Sequence, residues 1–137
     1  MTPNQELRDL TGEMLRALAG NPDAPIETYF ADESGVLAIG SDPDEWWDDY
    51  GRIVEVFRGQ AEALRGSRVE DSRPSAYADG DVGWVADHPT LRMPDGSAVT
   101  FRVTGTAVRR DGAWRFVQWH ASIPVGNLEA VGMELPT

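Results

Sequence analysis

The chain has 137 residues, a formal net charge of −11 and an isoelectric point near 4.4. That balance argues against nucleic acid and anionic membrane surfaces as partners, because both need a positive footprint. Cysteine is absent, so disulfides and thiol chemistry are excluded.

No apolar run approaches the ~18 residues of a membrane span. The N-terminus lacks the basic-then-apolar order of a signal peptide. A single cytoplasmic domain over residues 1–137, large enough for a real core, is the expectation.

Thr2-Pro3-Asn4-Gln5 reads as a helix start, with Thr2 as N-cap and Pro3 at the first helical position. Leu7, Leu10, Met14, Ala17 and Leu18 follow helical spacing, and Gly20 and Pro22 stop the helix. A short helix is predicted over Ala24 to Phe30, then a buried strand over Gly35 to Gly40. Ser41-Asp42-Pro43-Asp44-Glu45 predicts a second, long helix. Asp42 caps it, Pro43 opens it and Glu45 completes the reciprocal pair. The helix is expected to run to about Leu64, with Trp46, Tyr50, Ile53, Phe57 and Leu64 as its apolar stripe.

After Gly66 the pattern becomes strands. One spans about Arg68 to Tyr77, interrupted at Pro74; another covers Val82 to Met93. Ser97 to Pro124 reads as a long β-hairpin turning at Asp111-Gly112. A two-residue loop pairs Val103 with His120, and a three-residue loop pairs Arg102 with His120. Composition favours the longer loop, which puts Val103, Ala107, Val117, Trp119 and Ala121 on a buried face. Arg102, Thr104, Trp114, Phe116, Gln118 and His120 then share the other face. Its large aromatics mark it as a subunit interface.

The order is helices first, then antiparallel strands: an α+β layer architecture in which a curved sheet wraps N-terminal helices and leaves a hollow. With IGSDPDEWW, DVGWVAD and the closing DGAWRFVQWHASIPV, the chain resembles the SnoaL-like group of the nuclear transport factor 2 superfamily. The resemblance implies a cone-shaped fold, a pocket between sheet and helices, and a homodimer through the sheet. Superfamily members include isomerases, dehydratases, hydrolases and cyclases, and others that only bind or assemble, so the fold leaves the reaction open.

Trp46, Trp47, Tyr50, Trp84, Phe101 and Trp119 are the candidate lining of a pocket for a small apolar or aromatic ligand. The leading reading is a ligand-binding domain. The alternatives are a cofactor-independent acid–base enzyme using Asp87, His88 or Tyr50, and an assembly module with a filled interior. Two histidines, no cysteine and scattered carboxylates supply no metal-ligand set, and no cofactor fingerprint is present.

Overall fold

In the computed structural model all 137 residues are described. Two helices pack on a mixed seven-stranded sheet, and a separate three-stranded sheet closes one end. No helix is long and apolar enough to cross a membrane.

The chain opens with β1 (Thr2–Pro3), which pairs with a later strand, so Thr2 does not cap the first helix. Helix α1 (Gln5–Leu18) is capped instead by Asn4, whose side chain accepts from the Leu7 amide at 2.9 Å. Its inward stripe is Leu7, Thr11, Met14 and Leu15, all buried. Thr11 is accommodated there because its hydroxyl donates to the Leu7 carbonyl at 2.7 Å. The expected short helix is a single 3-10 turn, Ile26–Tyr29.

The second helix starts later than its sequence signature suggests. Leu37–Ile39 (β2) pairs antiparallel with Trp46–Trp47 (β3), and α2 runs only over Tyr50–Ala63, capped by Asp49. Half of the predicted Asp42–Glu45 exchange forms: the Asp42 amide donates to Glu45 Oε1 at 3.0 Å, while the Glu45 amide donates to the Asp42 main-chain carbonyl at 3.0 Å rather than to its side chain. It closes a tight turn between two strands rather than a helix. The competing force is the pairing of Trp46 and Trp47 with β2, which needs extended backbone. Ile53, Val54, Phe57 and Ala61 carry the buried face of α2, while Trp46 lies on the sheet edge and is 65% exposed.

The remaining strands are β4 (Arg68–Glu70), β5 (Ser75–Asp79), β6 (Val82–Asp87), β7 (Thr90–Arg92), β8 (Ala98–Thr100), β9 (Arg102–Arg110) and β10 (Ala113–Ser122). The large sheet has the order β1-β5-β6-β9-β10-β2-β3 and the small one β4-β7-β8. The strand expected to be interrupted at Pro74 breaks between Glu70 and Ser75, and the two expected to be continuous break at the same level, at His88-Pro89 and at Phe101. These breaks form one crease across which the small sheet folds.

Asp87 pins the crease. Buried at 6% exposure, its carboxylate accepts from Ser72 Oγ (2.7 Å) and from the amides of Arg73 (3.1 Å) and His88 (2.8 Å). A buried carboxylate is tolerated when several donors converge on it, as here.

The closing hairpin resolves the register question in an unforeseen way. Asp111 and Gly112 both have positive φ, so the turn is a two-residue loop pairing Arg110 with Ala113. The register then slips between Phe116 and Gln118, leaving Val117 as a bulge. Beyond it His120 faces Thr104, and Ser122 faces Arg102.

The bulge reverses parity along β10. Trp114 and Phe116 point inward before it, and Trp119 points inward after it. The placement of Phe116 on an outer interface is therefore corrected: it is fully buried, with Trp119 at 4.9 Å between ring centroids. From Phe116 the aromatic contacts continue through Phe30 and Phe57 to Trp47, joining the sheet to α2.

Candidate functional site

The crease leaves two adjoining chambers under the sheet. One, of about 180 Å³, lies between α1, α2 and the small sheet, with Leu15, Leu64, Val69, Leu91, Val99 and Phe101 among its walls. The other, of about 200 Å³, extends toward Ile39, Phe57 and Trp119. They share Leu18, Ser41, Gln60 and Ala121, so they are parts of one hollow. Each element contributes for a local reason. The helices turn their apolar stripes inward, and the folded-over small sheet supplies Val69, Leu91 and Val99 as the end wall.

The hollow is mostly apolar, with Ser41 and Ser122 in its wall and one paired polar group. Gln60 Nε2 donates to Glu45 Oε2 at 2.9 Å, and Glu45 is the one ionisable side chain lining either chamber. Both Glu45 oxygens are engaged, since Oε1 accepts from the Asp42 amide. The pair is thus held in place, and its remaining lone pairs can accept a ligand hydroxyl or N–H.

Both residues escaped the sequence reading. Glu45 was explained by capping. Gln60 occupies an inward helical position between Phe57 and Leu64, and a polar residue in that stripe was the available signal.

The six expected aromatics divide. Phe101 and Trp119 line the hollow. Trp47 is half-buried against Phe57 at 5.9 Å, and Tyr50 donates its hydroxyl to the Glu27 carbonyl at 2.9 Å. Neither lines a chamber. Trp46 is on the edge strand, and Trp84 lies on the outer sheet face stacked on Tyr77 at 5.1 Å.

The residues considered for acid–base chemistry are not brought together. Asp87 is the crease pin; His88 is exposed beside it on the outer side; Tyr50 sits at the start of α2. Burial pushes the Tyr50 phenol above its ordinary range, and the charges of Asp32 and Glu27 add to that, so it remains a neutral donor. Of the expected interface residues, Arg102, Thr104, Gln118 and His120 alternate outward with buried Val103 and Trp119.

Helices wrapped by a creased, mixed sheet around an apolar hollow define the nuclear transport factor 2-like class, and solved structures bear this out. An NTF2-like protein of unknown function from Pseudomonas putida KT2440 matches with a TM-score of 0.71 at 18% identity, over 95% of this chain and 91% of that one. A candidate dehydratase of the NTF2-like family from Streptomyces avermitilis matches with a TM-score of 0.72 at 11% identity, over 89% and 97%. A candidate ketosteroid isomerase from Shewanella frigidimarina matches with a TM-score of 0.68 at 13% identity, over 83% and 92%. Likeness at such identities carries the fold alone. No curated protein matches the chain in sequence. Within the class, the chain belongs to the SnoaL-like domain family, whose model matches residues 8–126.

Proposed function

We propose that this chain is a cytoplasmic, small-molecule-binding SnoaL-like domain whose interior hollow takes a small, mostly apolar ligand bearing one hydrogen-bond donor. The observation that carries the reading is the Glu45–Gln60 pair set in mostly apolar walls. Such a site gains most of its affinity from apolar burial and its orientation from a few fixed polar groups. Taken as one hollow, the chambers of about 180 and 200 Å³ reach only the lower end of the ~300–1,000 Å³ usual for ligand pockets, which favours one or two fused rings. Phe101 and Trp119 supply flat contact area for such a ring system.

The protein acts as a homodimer in this reading, paired through the outer sheet face. Gln118 and His120 lie there beside the Tyr77–Trp84 stack, clear of Arg102 and Thr104 at the crease, and Trp84 is 41% exposed. An exposed tryptophan among polar neighbours is a common interface composition.

Titration with 2-naphthol, a neutral bicycle with one hydroxyl donor, tests the ligand claim. Wild type is expected to bind saturably at one site per chain. Ala121→Trp, which fills the wall shared by both chambers, is expected to weaken binding by at least about tenfold. Equal binding by the two proteins would contradict the assignment.

A further inference from the structure

The strongest unassigned feature is a basin of about 590 Å³ on the outer side of the crease, lined by Arg73, Ser75, His88, Thr100, Arg102 and Thr104, with Asp87 at its floor. It shares no lining residue with the interior hollow. Its charge runs against that of the whole molecule.

All twelve basic residues of the chain are arginines, against 23 acids. Eight of them hold a carboxylate partner within 3.2 Å. Arg8, Arg73, Arg102 and Arg115 do not, and two of these four face the same basin. In a chain with so many carboxylates, two guanidinium groups left without one in a single concavity is a selective arrangement. Asp87 offsets one of the two charges, but its oxygens are directed at Ser72 and the amides of Arg73 and His88. One net positive charge remains, with the hydroxyls of Ser75 and Thr104 and one ring N–H of His88 available as donors.

We propose that this basin is a binding site for a small oxyanion, a carboxylate or phosphate group, held by Arg73 and Arg102. The guanidinium fork matches either group with two parallel N–H donors. Ser75, Thr104 and His88 complete the shell. The crease fixes the geometry, because Arg73 and His88 flank Asp87 through backbone bonds to its carboxylate. The site is independent of the apolar hollow and stands or falls separately from it.

The test follows the arginine Nε–Hε resonances of the full chain titrated with inorganic phosphate and, separately, with succinate. Sodium chloride at matched ionic strength is the control. Saturable shifts at Arg73 and Arg102 are expected. Arg102→Gln should weaken binding roughly tenfold and Arg73→Gln/Arg102→Gln should abolish it, whereas Arg52→Gln on α2 should leave it unchanged. Saturation by phosphate alone identifies a phosphate-bearing ligand, and saturation by succinate alone a carboxylate. Shifts that chloride reproduces, or that persist in the double variant, would overturn the site.

Discussion

Asp87 illustrates how a residue with catalytic chemistry serves a structural end. Three donors converge on its buried carboxylate, and all come from the break between the two sheets. Asp87→Ala leaves the Ser72 hydroxyl and two amides without their partner. We expect a loss of about 2–3 kcal/mol, read as a lower urea midpoint at unchanged slope. A midpoint within error of wild type would remove Asp87 from its role as the pin. At this scale the sequence was least informative. Asp87, with His88 and Pro89 after it, looked like the end of a strand, and only the fold shows which donors surround it. Gln60 was closer to legible, since it interrupts an apolar stripe at a helical interval.

Elements were legible in kind and less so in extent. The stripe of α1 and the Asp111-Gly112 turn follow from local spacing and turn chemistry. The bulge at Val117 does not, because β10 reads as evenly apolar on both sides of it; tertiary packing of Trp114, Phe116 and Trp119 selects the slip. The start of α2 shows the converse: Glu45 does bond back to the Asp42 amide, but in the turn of a strand pair, and Asp49 caps the helix instead.

The small sheet carries its own testable electrostatics. Glu70 is bonded by Arg92 at 3.0 Å and by Arg68 at 2.9 Å, and these bonds, Arg92 first, hold its carboxyl below the ordinary value of 4.5. A depressed carboxyl stabilises the fold above its unfolded pKa and loses that contribution as pH falls through the folded one. The β4–β7 pairing is therefore expected to weaken on acidification below about pH 4.5. Amide exchange of Thr90 and Arg92, whose N–H groups face β4, reads this directly: it should rise with acidity relative to β9, and Glu70→Gln should flatten the difference. Identical acid profiles for Glu70→Gln and wild type would refute it.

For the whole molecule, the α+β wrap around a hollow was readable from element order, because helices preceding antiparallel strands have few ways to bury their faces. The crease was not readable, yet it divides the sheet, closes the end of the hollow and places Arg73 and Arg102 on the outside. Pairing through the outer face predicts that light scattering reports a dimer for wild type and a monomer for Trp84→Asp, with 2-naphthol binding retained; a monomeric wild type would dismiss that arrangement. The central claim is the interior site, and a crystal structure of the 2-naphthol complex measures it most directly. The ring should lie between Phe101 and Trp119 with its hydroxyl directed at Glu45 and Gln60. A ring on the outer face, with the hollow filled by the chain's own side chains, would contradict the account.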